Sequence, residues 1–119
     1  FSLYDSDKNT IACSDGNGTY IYIYTDLPES ANYTNKYNEI EQSSEHQLLS
    51  NGTIDYNNLT IHSIFYRDSD GTNRSTFYFS KGNDSFRIII SGFDYDKDIN
   101  KTIDIACSIA ESFKINYKR

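Results

Sequence analysis

The chain has 119 residues, a length that suits one domain with a single core. Its formal net charge is -6, and this argues against nucleic acids and anionic membranes as partners because both attract basic surfaces. Only 37% of the residues are hydrophobic, but eleven tyrosines and seven phenylalanines supply the large side chains that a core needs.

The first residue is Phe1, and no apolar leader follows it. This start predicts a processed or trimmed chain, residues 1–119, whose signal or anchor lies outside it. The longest strongly apolar run, Ile88–Ile90, is far shorter than the roughly 20 residues that cross a bilayer. We therefore expect no membrane insertion within this chain.

Strict alternation over Thr19–Tyr24 predicts the first clear strand, with isoleucines on one face and tyrosines on the other. The tyrosines are Tyr20, Tyr22 and Tyr24. Two interpretations of their face stay open. Exposed tyrosines are typical of recognition surfaces for proteins or carbohydrates. Alternatively, they line a second core beneath a helix, with their hydroxyl groups reaching water.

Apolar residues recur at near-helical spacing over residues 32–49, which predicts a helix there. Asn51-Gly52 is predicted to be the turn that ends it. Residues 53–67 then form one extended segment, in which alternate apolar residues share a face. Those residues are Leu59, Ile61 and Phe65.

Two more strands are predicted at residues 75–79 and 86–90, and short polar turns connect the three extended segments into an antiparallel meander. From Ile99 to Phe113, apolar residues step by four and three, which predicts a helix with one apolar stripe. Asp98 or Asn100 is the expected cap of its first turn. The stripe and the aliphatic sheet face bury each other, so we predict an α+β fold.

The order of these elements resembles the PsbP/Mog1-like α/β/α sandwich family, particularly small cell-surface members from methanogenic archaea. The resemblance covers residues 17–117 and is carried by the segments TYIYIYTDLPES, NGTIDYNNLTIHSIFYRD, STFYFSKGNDSFRIIISGF and IAESFKI. It implies a helix on each face of the antiparallel sheet and a non-enzymatic scaffold or binding domain. No functional residue of PsbP or Mog1 matches a position in this chain.

Seven Asn-x-Ser/Thr tripeptides occur in the chain, where composition alone predicts about two or three. In a secreted protein such tripeptides accept N-glycans at surface positions. Turn chemistry is the competing explanation, because asparagine favours turns. The excess favours a single extracytoplasmic domain, secreted or at the cell surface. The acceptor residues are Asn17, Asn32, Asn51, Asn58, Asn73, Asn83 and Asn100.

The only two cysteines are Cys13 and Cys107. In an oxidising compartment they would most simply form one disulfide between the N-terminal segment and the last helix. The alternative is two separate buried thiols that behave as small apolar groups.

Two acidic segments begin like calcium-binding loops: Asp94, Asp96 and Asp98, and Asp5, Asp7 and Asn9. Neither has the glycine at position 6 or the glutamate at position 12 of an EF-hand. The alternative is an acidic lead into a helix, where carboxylates favour the positive end of the helix dipole. We expect no cofactor, and calcium is the weaker alternative.

No nucleophile or metal-binding motif occurs in the sequence, and His46 and His62 lie at no metal-binding spacing. The chain is therefore predicted not to be an enzyme. The leading hypothesis is a non-catalytic surface module that binds a protein or a cell-envelope component. The alternative is a domain that binds calcium or a small ligand through the acidic loops or the tyrosine face.

Overall fold

A computed structural model describes residues 2–6, 10–16, 18–25, 27, 32–81 and 84–112. The strands form one antiparallel sheet in the order β1-β2-β3-β7-β6-β5-β4. This arrangement confirms the predicted α+β class. The elements are β1 (Ser2–Ser6), β2 (Thr10–Ser14), β3 (Tyr20–Tyr24), α1 (Tyr33–Gln42), β4 (Gln47–Tyr56), β5 (Leu59–Arg67), β6 (Asn73–Lys81), β7 (Asp84–Ser91) and α2 (Tyr95–Ser112).

The face of the sheet that meets α2, here the α2 face, holds the main core. Alternate residues of each strand point to it because side chains in a strand alternate between the two faces. The α2 stripe contributes Ala106, Cys107 and Ala110. The sheet contributes isoleucines and phenylalanines: Ile21, Ile23, Ile61, Phe65, Phe77, Phe79, Phe86, Ile88 and Ile90.

The opposite face, here the α1 face, is covered only in part. Helix α1 packs against β4 and β5, where Ile40 of the helix meets Ile64 and Tyr66 of β5. Strand β3 lies three positions away from β5 in the sheet order. No described helix therefore covers the α1 face over β3 and β7. The helices do lie on opposite faces, as the resemblance implied.

The predicted helix over residues 32–49 is too long. Helix α1 ends at Gln42, where Ser43 takes an extended conformation and its backbone N–H bonds to Ile40. Leu48 belongs to β4 instead. The apolar spacing misled because Leu48 packs against the same small cluster as Tyr37, from a strand rather than from the helix.

The predicted turn at Asn51-Gly52 is also wrong, since both residues lie inside β4 and pair with β5. The chain reverses at Asn57 and Asn58, whose φ angles are 48° and 69°. A two-residue turn with both φ angles positive matches the right-handed twist of a hairpin, and asparagine tolerates this region. The segment 53–67 is therefore a hairpin rather than one extended strand.

Helix α2 begins at Tyr95, earlier than predicted. Its cap is Asp94, whose Oδ1 accepts hydrogen bonds from the backbone N–H groups of Asp96 (3.1 Å) and Lys97 (3.3 Å). Neither Asp98 nor Asn100 caps the helix, because both lie within it. Across the described residues, neither helix is long and apolar enough to cross a bilayer.

Candidate functional site

A cavity of about 770 Å³ lies where the first turn of α1 meets the hairpin ends of β4 to β7. We call it the α1 pocket. Its lining comes from segments that are far apart in the sequence. Leu27, which follows β3, lies beside β7 because its backbone N–H donates a hydrogen bond to the carbonyl of Ser85. Its apolar lining comprises Leu27, Leu59, Phe79 and Phe86. Its polar lining comprises Asn32, Tyr33, Thr34, Thr53, Asn58, Thr60, His62, Tyr78, Ser80 and Ser85.

Strand register brings three of these polar groups into one row. Thr53 of β4 pairs with His62 of β5, and His62 pairs with Tyr78 of β6. Paired residues of antiparallel strands point to the same face. Thr53 Oγ1 lies 3.4 Å from His62 Nδ1. The row therefore forms one wall of the α1 pocket.

Helix α1 supplies a second wall through Tyr33. Its ring centre lies 5.3 Å from that of His62, and its hydroxyl accepts a hydrogen bond of 2.7 Å from Asn51 Nδ2. The cap residue Asn32 accepts a bond of 2.9 Å from the Asn35 N–H, which fixes the start of the helix. Tyr33 is thus positioned by contacts at both ends of its side chain.

The described lining of the α1 pocket contains no Asp, Glu, Lys, Arg or Cys, although 24% of the chain is charged. Hydroxyl groups dominate, and a hydroxyl both donates and accepts hydrogen bonds. Burial raises the pKa of Tyr78, and the nearby cation Arg87 opposes this rise only in part, so its hydroxyl keeps its proton. The pocket therefore offers hydroxyl groups that both donate and accept hydrogen bonds, beside aromatic rings.

The row continues beyond the pocket onto the open part of the α1 face. Tyr78 pairs with Arg87 of β7, and Arg87 pairs with Tyr24 of β3. The guanidinium carbon lies 5.4 Å from the Tyr78 ring centre and 6.0 Å from that of Tyr24. Arg87 Nε also donates a 2.9 Å bond to Thr76. We call Tyr24, Arg87 and Tyr78 the aromatic row.

Neither helix of the described residues covers the tyrosines of β3, so the interpretation as a second core under α1 is wrong for them. Tyr20 is 38% exposed, and its ring lies 6.4 Å from that of Tyr22 in a stacked arrangement. Tyr22 and Tyr24 are half-buried. The cause is the strand order, which places β3 away from the strands that α1 covers.

The predicted disulfide is absent from the structure, and both cysteines are free thiols. Cys107 is buried in the main core. Cys13 instead faces a groove that the other side of α2 lines with Ile105 and Ile109. Residues two apart on a helix point in nearly opposite directions, so Cys107 and the groove lie on different sides of α2.

The acidic segment before α2 forms a helix start. Asp94 is the cap, while Asp96 and Asp98 lie in the first turn, where the helix dipole favours negative charge. Within the described part of the chain, no three His, Cys, Asp or Glu side chains come together as metal ligands. Asp5 lies in β1, and Asp7 and Asn9 are outside the described residues.

The glycan acceptors occupy varied positions. Asn32, Asn51, Asn58 and Asn100 are exposed, at the α1 cap, in β4, in the hairpin turn and on α2. Asn73 is half-buried in β6, and its Nδ2 donates to the Phe93 carbonyl at 3.0 Å. Asn17 and Asn83 lie outside the described residues. Asn51 and Asn73 are therefore strand residues, and Asn51 does not form the turn that was predicted for it.

Sequence reasoning missed both the α1 pocket and a charged cluster at the far end of the sheet. In that cluster His46 Nε2 lies 2.8 Å from Asp68, which also binds Arg74. His62 lies on the sheet face opposite that of Leu59 and Ile61, as the alternation of side chains along β5 requires. What alternation cannot supply is the partner across the sheet, because β5, β6 and α1 meet only once the strand order is known.

Comparison with known proteins supports the fold. The sequence matches no protein-family model and no curated protein. Its structure is similar to that of cyanobacterial PsbP (CyanoP) from Synechocystis, with a TM-score of 0.55 and 11% identity over 90% of this chain and 73% of that one. It is also similar to a protein of unknown function from Pseudomonas aeruginosa, with a TM-score of 0.56 and 12% identity over 99% and 98%. The PsbP-like fold is therefore confirmed.

Proposed function

We propose that this chain is a non-catalytic binding module of the cell surface. Its partner is a cell-envelope component or a surface protein, and the α1 pocket holds a small polar group of that partner. The observation that carries the proposal is the composition of that pocket. Its hydroxyl, amide and aromatic lining suits the binding of an uncharged group. General acid–base chemistry on a sugar bond uses paired carboxylates, and the described lining offers none.

The size of the pocket fits this role. Its volume of about 770 Å³ lies within the range of small-molecule sites, about 300–1,000 Å³. Phe79 and Phe86, whose rings stack at 5.2 Å, belong to the main core and also contribute to the lining at the hairpin end. A calcium site finds no comparable support, since Asp94 already caps α2 and Asp96 and Asp98 lie in its first turn.

The binding function is tested by an NMR screen of neutral polar fragments and envelope-derived glycans against ¹⁵N-labelled protein. Thr34 is exposed and lines the pocket, so Thr34→Trp fills the cavity without disturbing the core. Asn38→Trp, at an exposed position one turn further along α1 and outside the lining, is the matched control. We expect ligands to shift pocket amides in the wild type and in Asn38→Trp but not in Thr34→Trp. Shifts that survive Thr34→Trp would place binding elsewhere.

Surface location is supported by the seven tripeptides and is tested by the mass of the protein from its native cells. We expect a glycan at Asn100, which is exposed and lies outside the lining of the α1 pocket. We expect none at Asn73, whose side-chain nitrogen bonds to Phe93. A mass equal to that of the bare chain would remove the support for secretion.

A further inference from the structure

The aromatic row continues the α1 pocket in a direct line. Thr53, His62, Tyr78, Arg87 and Tyr24 pair in succession across five neighbouring strands. Neighbouring strands lie about 4.8 Å apart, so His62 and Arg87 are separated by about 10 Å across the sheet. That span is comparable with the length of a small two-ring ligand. A ligand seated in the pocket therefore reaches Arg87 if it extends along the row.

Arg87 forms no ion pair with a carboxylate among the residues that the structure describes. The ion pairs of the described residues join Lys36 to Glu39 and join Asp68 to both His46 and Arg74, so Arg87 belongs to none. This occurs in a chain whose acidic residues outnumber its lysines and arginines by 17 to 11. Only Nε of Arg87 has a hydrogen bond among the described residues, to Thr76.

The two flanking tyrosines fix this cation in place. The Arg87 guanidinium contacts the rings of both Tyr24 and Tyr78, which hold it by cation–π attraction and shield it partly from water. An arginine held in this way presents its two terminal amino groups as a pre-formed fork, which matches the two oxygens of a carboxylate. A partly desolvated cation also attracts an anion more strongly than one in bulk water.

We propose that the α1 pocket and Arg87 together bind an acidic saccharide, with the uncharged sugar hydroxyls in the pocket and one carboxylate on the Arg87 fork. This inference rests on the proposed function and adds the ligand class and the residue that selects it. The described lining of the pocket holds no lysine or arginine that could pair with an anion, and an unpaired buried charge is costly. We therefore assign the carboxylate to Arg87, outside the pocket.

The experiment uses uronic-acid disaccharides and their methyl esters as paired probes, titrated into the whole chain by calorimetry and ¹⁵N NMR. Esterification removes the negative charge and keeps the sugar. We expect the acid to bind at least about tenfold more tightly than its ester, the effect of one charge-assisted contact. Arg87→Gln should abolish this preference, and Arg87→Lys should restore only part of it, because an ammonium lacks the fork.

Arg67→Gln is the matched control. Arg67 lies at the C-terminal end of β5, and like Arg87 it is half-buried and forms a hydrogen bond through Nε. It should leave the preference unchanged, and the NMR spectra confirm that each variant is folded. Equal binding of acid and ester to the wild type overturns the role of Arg87 but leaves the α1 pocket as a binding site. If no saccharide binds while neutral fragments still shift the pocket amides, the ligand class is wrong and the proposed function stands.

Discussion

Gly92 connects β7 to α2 and passes close to the loop between β2 and β3. A Cβ atom added there would lie 2.0 Å from the Gly18 carbonyl oxygen, and its φ angle is +85°. Gly71 has almost the same angle, +86°, but open space around it. Comparing alanine substitutions at the two glycines therefore separates two losses of stability. One comes from the left-handed backbone conformation, and the other comes from the steric contact with Gly18.

Gly71→Ala should lower the free energy of unfolding by about 1–2 kcal/mol, the cost of a left-handed conformation for a residue with a Cβ. Gly92→Ala should lower it by about 2–5 kcal/mol, because forcing extra atoms into a packed region adds about 1–3 kcal/mol. Gly52→Ala in β4, with open space and no positive φ, should change it by less than about 0.5 kcal/mol or stabilise the protein slightly.

Urea denaturation followed by circular dichroism measures all three variants. The slope with urea should stay constant, so that midpoints report stability directly. If Gly92→Ala loses no more stability than Gly71→Ala, the close approach of the β7–α2 connection to Gly18 is wrong. The placement of β3 beside β7 would then lose its strongest steric support.

Three further predictions concern single side chains. Alkylation of the folded protein should modify Cys13 before the buried Cys107, and both should react in denaturant without reductant; a linked peptide would restore the disulfide. Burial raises the pKa of Tyr66 above its ordinary value of 10.0, so its neutral form favours folding below pH 10 and this stability is lost as pH rises through the raised pKa. The loss above pH 10 should be smaller in Tyr66→Phe, and an unchanged pH profile would refute the assignment. Asp94→Ala should cost about 0.5–2 kcal/mol in thermal or urea unfolding as a lost helix cap, whereas no change would argue against the capping role.

Strands β3, β6 and β7 and helix α2 were predictable because their periodicity is local. The alternation of Ile21 and Ile23 with tyrosines specifies a two-faced strand, and both isoleucines are buried. The stripe from Ile99 to Ala110 specifies a helix. In each case neighbouring residues alone carry the signal.

The features that failed depend on contacts between distant segments. Leu48 fitted a helical stripe only because it joins the α1 cluster from β4. Asn57 and Asn58 form the hairpin turn, although Asn51-Gly52 has the stronger turn signal, because the register of β4 and β5 decides where the chain reverses.

The candidate site could not be predicted for the same reason. His62 and Thr53 are nine residues apart in a hairpin, but Arg87 and Tyr24 meet only because β3 inserts beside β7. In the sequence, β3 and β7 are separated by α1 and three other strands. Residue type alone marked Tyr24 as a candidate and gave no reason to choose Arg87.

The most direct test of the central claim is a set of intermolecular nuclear Overhauser effects between the bound saccharide or fragment and the aromatic side chains of the protein. The binding account predicts contacts from the ligand to the rings of Tyr33, His62 and Tyr78, which wall the α1 pocket. Contacts confined to Tyr20 and Tyr22, or to the groove beside Cys13, would contradict it.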